Sequence, residues 1–521
     1  MEEGRRITGA AGVMGALTLA SRVLGYLRDA VIAWLFGAGL AADAFFVAFR
    51  VANLLRRLVG EGALTSSFVP IFTEELERRS RQDAYRLACR VFTLFFLILL
   101  VLTLAGAAFA PQLVRLMSPG FAAGKFELTV SLTRLMFPYL LFIGLMAIAM
   151  GILNSFRHFT APALAPVLLN AAVITAALGL GPLLAEPVYA LAAGVVAGGL
   201  LQFALQLPFL SRYGMFPRPD FSFGDEAVRK ILLLMGPAAL GVGVYQLNIF
   251  VTLRFASELG EGSVSYLYYS GRLMELPLGV FAVSVSTAVL PTLAQQAARE
   301  EWTRFRDSLG FALRLVNFVS IPAAVGLAVL GPLIIDVLFG RGSFTAGDVS
   351  ATAFALTFYA LGVIPVASSR ILASVFYSLK DTSTPVMVAA ATFLFNIAMC
   401  MVLRGPLAHG GLALAATLSA ALNTVLLLAV LRRRFGPMGA RRTALSAARS
   451  LAASLVMGAA LYVPAREMEW TALAGWSKAL LLTGCMAAGV VVFVTSSMVL
   501  KVEELLFFKE MVRERIAGRR R

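Results

Sequence analysis

The sequence predicts an all-α integral membrane protein with about 14 transmembrane helices. The chain has 521 residues, of which 59% are hydrophobic and 14% charged, and its mean hydropathy is +0.83. Charged residues alone make up about a quarter of an average soluble protein. A membrane-spanning helix needs roughly 20 apolar residues, and such segments recur along almost the whole chain. Little of the chain is left for a soluble catalytic domain.

The predicted spans also give an orientation. An even number of spans places both termini on one side of the membrane, and cytoplasmic loops are enriched in Lys and Arg. About 30 Lys and Arg lie on the side of the termini, about 6 on the opposite side and about 9 inside spans. Both termini are therefore predicted to be cytoplasmic. The predicted spans are 10–36, 42–72, 88–110, 128–151, 162–182, 187–211, 230–257, 264–291, 309–331, 350–376, 384–404, 409–431, 447–464 and 473–500.

Several other classes of protein are disfavoured. The net charge of +16 does not indicate a nucleic-acid partner, because the basic residues cluster in short loops and at the chain ends. Cys89, Cys400 and Cys485 have neither paired nor metal-ligand spacing. The chain has no phosphate-binding glycine loop or paired acidic metal motif, and His158 and His409 lie near span ends. The sequence therefore predicts a transporter rather than an enzyme, with no catalytic residues, cofactor or metal.

An internal repeat divides the predicted spans. Residues 155–162 (Ser-Phe-Arg leading to Pro) recur at 378–385 (Ser-Leu-Lys leading to Pro), and residues 66–70 are matched by 287–291 at nearly the same offset. A repeat of six spans keeps its orientation, so the halves should be related by a pseudo-twofold axis along the membrane normal, with a central cavity between them. The predicted parts are an N-terminal lobe at 1–225, a C-terminal lobe at 226–440, and two further spans with a basic cytoplasmic tail at 441–521.

Charged residues inside the predicted spans are the main functional signal. A charge facing lipid is costly, so such residues face protein or a wet cavity by default. Arg134 and Arg254 lie near span ends, where a long side chain can reach the interface, and Arg254 precedes Glu258 by four residues as a helix pair. Nine basic residues in the spans are singled out, Arg22, Arg28, Arg50, Arg56, Arg57, Arg134, Arg254, Arg272 and Arg370, together with the acidic residues Asp29, Asp43, Glu61 and Glu275.

Three spans arrange these charges in polar stripes at helical spacing. Arg56 and Arg57 are adjacent and project about 100° apart, so they cannot point into a cavity equally. The stripes consist of Arg22 and Asp29 in the first span, Arg50, Asn53, Arg57 and Glu61 in the second, and Tyr268, Arg272, Glu275 and Gly279 in the eighth.

All nine of these basic residues are arginine and none is lysine. A guanidinium stays charged and binds phosphate through a planar fork, so the excess of arginine predicts an anionic, phosphorylated substrate. An exporter of cations would need the opposite balance. The alternative interpretation is a set of buried ion pairs that fix the register of the helices.

Five short motifs form a specific combination. Residues 21–30 read Ser-Arg-Val-Leu-Gly-Tyr-Leu-Arg-Asp-Ala, and residues 37–48 contain Gly-Ala-Gly and then Asp-Ala-Phe-Phe-Val-Ala. Residues 53–63 contain Asn-Leu-Leu-Arg-Arg and Glu-Gly-Ala, residues 68–70 read Phe-Val-Pro, and residues 268–277 contain Tyr-Tyr and Arg-Leu-Met-Glu before a proline. Together they resemble the MurJ (MviN) family of bacterial lipid II flippases, and the resemblance covers nearly the whole chain.

The resemblance implies a MOP-type exporter, with two six-helix lobes around a central cavity plus two C-terminal helices that form a lipid-facing groove. The implied substrate is lipid II, the undecaprenyl-diphosphate-linked peptidoglycan precursor, moved from the cytoplasmic to the outer leaflet of the bacterial inner membrane. The diphosphate of lipid II would explain the excess of arginine in the spans, and its long apolar tail would explain a separate groove. Membrane lipids and cell-wall synthesis proteins are the other candidate partners. The candidate substrate-binding residues are Arg22, Arg28, Asp43, Arg56, Arg272 and Arg370, and the candidate gate or ion-pair residues are Asp29, Arg57, Glu61 and Glu275.

Two positions depart from the family pattern. Some members have an acidic residue just before the arginine of the eighth span, where this chain has Gly271, so Glu275 becomes the expected partner of Arg272. In members with a sodium site, an aspartate of the seventh span corresponds to Thr252 here. This argues against sodium coupling.

Other functions remain as alternatives. A flippase for another polyprenyl-diphosphate-linked glycan, such as an O-antigen unit, would need the same cavity chemistry. A MATE-type cation or drug antiporter would place acidic residues in the cavity. A membrane-bound glycosyl- or phosphotransferase would need an acidic metal cluster or a general base, and neither is recognisable in the sequence. A purely structural membrane protein would not need buried stripes of charge.

Overall fold

The computed structural model describes residues 2–56, 64–437, 439–466, 473 and 475–505, and every regular element within these ranges is a helix. The predicted all-α membrane fold is thereby confirmed. A short 3-10 helix (Gly181–Leu183) and a π-helical turn (Leu278–Ala282) accompany the α-helices. These are α1 (Glu2–Phe36), α2 (Leu40–Arg56), α3 (Thr65–Arg78), α4 (Arg81–Ala108), α5 (Ala110–Met117), α6 (Ala123–Met136), α7 (Pro138–Ser155), α8 (Thr160–Gly179), α9 (Val188–Arg212), α10 (Glu226–Ser257), α11 (Ser263–Pro277), α12 (Val283–Ala298), α13 (Trp302–Phe339), α14 (Ala346–Ser378), α15 (Ser383–Phe435), α16 (Ala440–Arg466) and α17 (Gly475–Val499).

Nine helical segments of the described chain are long and apolar enough to cross a membrane. The helices that carry the predicted charge stripes, α1, α2 and α11, are not among these nine. The described part of α2 ends at Arg56, and α11 ends at the π-helical turn after 15 residues, so neither element by itself has the length of a span. The total of about 14 spans therefore stays a prediction.

Two regions show how the predicted spans relate to the helices. The eleventh and twelfth predicted spans are two helices within the range of α15, and they meet at a backbone break at Ala408 with φ 47° and ψ −129°. The eighth predicted span consists of α11, the π-helical turn and α12, and the turn directly follows Pro277. A proline inside a helix lacks the amide hydrogen that would continue the hydrogen-bond ladder, which explains a local irregularity there.

Contacts divide the chain into two compact units. The first unit comprises Met1–Ser265 and Gly342–Phe344, and the second comprises Tyr266–Arg341 and Thr345–Arg521. The division falls within α11, whereas the predicted lobes change at residue 225. The lobes are predicted from a sequence repeat, whereas the two units are defined by contacts between residues. The two divisions therefore describe different properties, and the lobe boundaries stay a prediction.

The predicted repeat is visible in the backbone. Arg157 and Lys380, which occupy matching positions of the two repeats, both adopt φ 58°, in the left-handed region that non-glycine residues rarely enter. In each copy the next amide closes the end of the helix: His158 N donates to Leu153 O at 2.8 Å, and Asp381 N donates to Phe376 O at 2.9 Å.

The second copy of this turn also holds an ion pair. The amide and hydroxyl of Thr384 donate to the Asp381 carboxylate at 2.9 Å and 2.7 Å, and Arg434 Nη1 lies 2.6 Å from it. The hydrogen bonds from Thr384, followed by the one from Arg434, hold the pKa of Asp381 well below its usual value. The turn therefore joins the start of α15 to its last turn.

Small residues set the packing of both units. In the first unit, a Cβ on Gly194 of α9 would lie 2.8 Å from Val173 Cα of α8, so these two helices meet at their backbones. In the second unit, α13 packs against α14 on one side and against α16 on another, where a Cβ on Gly458 would lie 2.8 Å from Val325 Cγ1. Close approach through small residues is how helices gain contact area in lipid.

Candidate functional site

Arg28 and Asp29, on α1, form a buried ion pair in the first unit. Arg28 Nε and Nη2 lie 3.0 Å and 2.6 Å from Asp29 Oδ1. Arg28 is 8% exposed and Asp29 is fully buried. Burial of both groups away from water strengthens the attraction and makes the loss of either partner expensive. The sequence placed both residues among the candidate site residues.

Asn170 of α8 completes the surroundings of Arg28. Its Oδ1 accepts from Arg28 Nη1 at 3.2 Å, and its Nδ2 donates to Ser21 O of α1 at 3.1 Å. The Phe49 ring lies 5.8 Å from the guanidinium carbon, within cation–π range. Three nitrogens of the guanidinium thus have partners in two different helices, which fixes the plane of the group.

Sequence reasoning missed Asn170. The residue was a lone amide in the apolar fifth predicted span, and that isolation is the signal that could have found it, since a polar side chain in a span rarely lies there without a partner.

The other candidate arginines of the first unit are half-buried. Arg22 lies on α1, and Arg50 and Arg56 lie on α2. Arg56 Nε donates to Asn53 Oδ1 at 2.8 Å, which keeps this guanidinium along its own helix. Two further candidates, Arg57 and Glu61, lie outside the residues that the structure describes.

Asp43, at the start of α2, is surrounded by hydrogen-bond donors of the first unit. Lys125 Nζ lies 2.6 Å from Oδ2, and Gly262 N donates to the same oxygen at 2.9 Å. The other oxygen accepts from Ser265 N at 2.8 Å and from Ser265 Oγ at 2.6 Å. The carboxylate thus holds α6 and the first turn of α11 to α2.

Lys125 corrects one sequence expectation. The fourth predicted span begins at residue 128, which leaves Lys125 in a loop, yet the residue lies in the first turn of α6 and is only 8% exposed. The buried basic residues are therefore not all arginines. The amino group also lies 4.3 Å from the centre of the Phe121 ring, so its charge has both an anionic and an aromatic partner. The substrate-binding role of Asp43 stays a prediction.

The candidate residues of the second unit are more accessible. Arg272 Nη1 lies 3.1 Å from Glu275 Oε2, one turn away on α11, which confirms the expected partner. Their side chains are 31% and 56% exposed, so this pair is far more open than the Arg28 pair. An exposed pair of this kind contributes little to stability, because water screens it. Arg370 lies half-buried on α14. The guanidinium groups of Arg272 and Arg370 are therefore both partly exposed.

The seventh predicted span corresponds to α10. Thr252 Oγ1 donates to Asn248 O at 3.0 Å, within the same helix. A hydroxyl engaged in this way contributes no negative charge.

Comparison with known proteins gives a consistent result. Residues 32–478 match the family described as "Lipid II flippase MurJ". The chain is 38% identical over 488 residues to the "Probable lipid II flippase MurJ" of Vibrio cholerae, covering 92% of this chain and 93% of that protein. It is also 38% identical to the "Lipid II flippase MurJ" of Burkholderia cenocepacia over 427 residues, covering 81% of this chain and 83% of the relative.

Solved structures agree with the sequence matches. One described as "Lipid II flippase MurJ, inward closed conformation" is 25% identical and matches with a TM-score of 0.77 over 96% of this chain and 99% of that chain. An inward-facing multidrug resistance MATE family transporter of the MOP superfamily matches with a TM-score of 0.68 at 13% identity, covering 82% of this chain and 98% of that one. At that identity the second likeness concerns the fold alone.

Proposed function

This chain belongs to the lipid II flippase family MurJ, and from that membership we propose that it moves lipid II from the cytoplasmic to the outer leaflet of the inner membrane by alternating access. Lipid II combines an anionic diphosphate with a long apolar tail and a bulky polar head. A protein that moves it needs fixed positive charge inside a membrane fold. The buried, oriented guanidinium of Arg28 is the observation that best supports this function.

Arg28 is proposed to bind the diphosphate. Its guanidinium is already oriented by Asp29 and Asn170, so little rotational freedom is lost when a phosphate arrives. A planar guanidinium can bind two phosphate oxygens at once, and the interaction is strong where water is excluded. Asp29 balances the positive charge while the substrate is absent, which limits the cost of burying Arg28.

Arg272 is proposed to be a second phosphate ligand, on the second unit. Its bond to Glu275 is exposed to solvent, so an arriving phosphate could replace that carboxylate at small cost. Arg22, Arg56 and Arg370, each half-buried, are proposed to add positive charge for the same anion.

The MATE-type alternative shares only the fold with this chain. Transport of cations would call for accessible carboxylates without a basic partner, whereas Asp29 and Asp43 are buried in contacts with basic side chains and the exposed Glu275 is paired with Arg272. The charge pattern therefore favours an anion.

The function is tested in cells whose only copy of this protein can be depleted. We expect lipid II to accumulate in the cytoplasmic leaflet after depletion. Arg28→Ala and Arg272→Ala should fail to restore growth despite normal expression, because an oriented charge for the diphosphate is lost. Arg86→Ala, an exposed arginine on α4, is the matched control and should restore growth. Full growth with both alanine variants would contradict the proposed site.

Lysine substitutions separate charge from geometry. Lysine keeps the positive charge but loses the planar fork. If Arg22, Arg28 and Arg272 supply only a diffuse positive field, Arg→Lys at these positions should leave lipid II binding and transport nearly unchanged. If they bind the diphosphate through two nitrogens, the lysine variants should be folded and correctly inserted yet defective in lipid II binding.

The alternative is that these arginines only fix helix register. In that case the lysine variants should lose thermal stability in detergent while the folded fraction transports normally. Binding and thermal stability measured on the same purified variants therefore distinguish the two roles. We expect the binding defect to be largest at Arg28 and Arg272.

A further inference from the structure

We propose that two buried ion pairs latch α17 to α13, one near each end of the membrane span, and hold α17 in place against α13 and α16. This inference concerns only the second unit and does not depend on the identity of the transported molecule. It assigns a positioning role to charged residues that the proposed phosphate site does not use.

The first ion pair joins α13 to the segment that follows α17. Arg314 Nε lies 3.0 Å from Glu504 Oε1, and their side chains are 11% and 1% exposed. The other oxygen of Glu504 accepts from Ser446 Oγ of α16 at 2.8 Å. One buried carboxylate thus connects α13, α16 and the end of α17.

Neighbouring contacts hold the same segment in place. Arg449 Nη1 of α16 donates to Lys501 O at 3.2 Å, and Val502 is buried. Arg442 Nη2 lies 2.7 Å from Glu503 Oε2, but both side chains are about half exposed or more, so water screens this second pair. Glu504 is therefore the carboxylate whose loss should matter most.

The second ion pair lies near the start of α17. Lys478 Nζ lies 2.7 Å from Asp336 Oδ2, and these side chains are 15% and 11% exposed. Along α13, Arg314 and Asp336 are about 33 Å apart at a rise of 1.5 Å per residue. The hydrocarbon core of a bilayer is about 30 Å thick. The two pairs are therefore spaced to lie near its opposite boundaries.

The contacts between the two ion pairs are apolar. Phe318 of α13 and Phe493 of α17 have ring centres 5.2 Å apart. A Cβ on Gly489 of α17 would lie 3.0 Å from Leu461 of α16, and Cys485 is buried in the same cluster. Lipid tails are as apolar as these side chains, so apolar contact alone gives little preference for protein over lipid. Separating a buried ion pair leaves unpaired charges near the bilayer, which is costly. The two ion pairs therefore favour contact of α17 with the protein over contact with lipid, which the apolar side chains alone do not.

Cys485 provides a native reporter for this latch. It is buried on α17, in the apolar cluster to which α13, α16 and α17 all contribute, and the other two cysteines, Cys89 and Cys400, are also buried. The full-length protein in native membranes is treated with N-ethylmaleimide, which crosses bilayers, and the labelling rate of each cysteine is measured by peptide mass spectrometry. Cys89 and Cys400 report on general loosening, and Cys485 reports on the separation of α17.

The variants remove one end of the latch or both ends. Glu504→Gln and Asp336→Asn preserve side-chain shape and remove one negative charge each. We expect the double variant to raise the labelling rate of Cys485 by about tenfold or more. Without the two ion pairs, α17 can separate locally from its neighbours, and Cys485 then becomes exposed without unfolding of the whole protein. Labelling of Cys89 and Cys400 should not change. Glu503→Gln, one residue away in the exposed pair, is the matched control and should behave as the unaltered protein.

A charge exchange tests the pairing itself. Arg314→Glu combined with Glu504→Arg should restore most of the protection of Cys485 that either single change removes. Unchanged labelling of Cys485 in the Glu504→Gln, Asp336→Asn double variant would overturn the proposal. A parallel rise in the labelling of all three cysteines would overturn it as well, because the two ion pairs would then stabilise the whole chain rather than the contact of α17 with its neighbours.

Discussion

Asn170 offers a direct test of whether the orientation of Arg28 matters for transport, under the proposed function. Asn170→Ala removes the acceptor for Arg28 Nη1 and the donor to Ser21 O. The bonds from Arg28 to Asp29 remain, so the guanidinium stays in place but its plane is free to rotate. The variant therefore changes the geometry of the candidate site without removing its charge.

The size of the effect follows from the contacts. A hydrogen bond to a charged group contributes about 1.5–3 kcal/mol in soluble proteins. Side-chain hydrogen bonds between membrane helices average about 0.6 kcal/mol and reach about 1.7 kcal/mol. The bond to Arg28 is charged and buried, so we expect about 1–2 kcal/mol, or roughly a five- to thirty-fold change in an equilibrium constant.

The assay measures lipid II binding and flipping by purified protein in proteoliposomes, together with the midpoint of thermal unfolding. Asn170→Ala should bind lipid II about five- to thirty-fold more weakly. Asn396→Ala is the matched control, because Asn396 is also buried but lies in the second unit, where its Oδ1 faces the weak Cys400 S–H donor at 3.9 Å. This control should bind lipid II normally.

Asn170→Asp gives the decisive comparison. It keeps an acceptor for Arg28 but, like Asn170→Ala, loses the donor to Ser21 O, and it adds a negative charge. It should therefore repel the diphosphate and bind lipid II more weakly than Asn170→Ala does. Normal binding by both Asn170 variants would refute the positioning role, and a loss of stability with normal transport per folded molecule would make Asn170 a packing residue.

Three further predictions concern other parts of the chain. Lys125→Met should lower the free energy of unfolding by about 3–5 kcal/mol, because it leaves the buried Asp43 charge without its basic partner. The double variant with Asp43→Asn should lose less of this free energy, and thermal unfolding in detergent measures both. A reporter inserted near Ala440 or fused to the C-terminus should be cytoplasmic and one near Arg466 should be external, and a common side for Ala440 and Arg466 would contradict the span prediction. The lowered pKa of Asp381 means that its contribution to stability is fully present above the pKa of the unfolded state, near 3.8, and is lost as the pH falls toward the folded value; Asp381→Asn should remove this part of the pH dependence of unfolding.

The sequence by itself determined the class of the protein and the kind of chemistry to expect. Hydropathy is a local property of a segment, so an all-helical membrane chain could be recognised without any knowledge of contacts. The rarity of charge in spans singled out Arg28, Asp29, Asp43 and Arg272 for the same reason. The bond between Arg272 and Glu275 could also be anticipated, because residues three apart on a helix are neighbours.

Only the tertiary structure decided which distant groups pair. Asn170 reaches Arg28 from another helix, and Lys125 reaches Asp43 from the first turn of α6, which lies outside the predicted fourth span. Nothing in the spacing of residues indicates that Glu504 pairs with Arg314. The physical reason is that a buried charge must find a partner within hydrogen-bond distance, and the packing of helices far apart in the chain determines which partners are within reach.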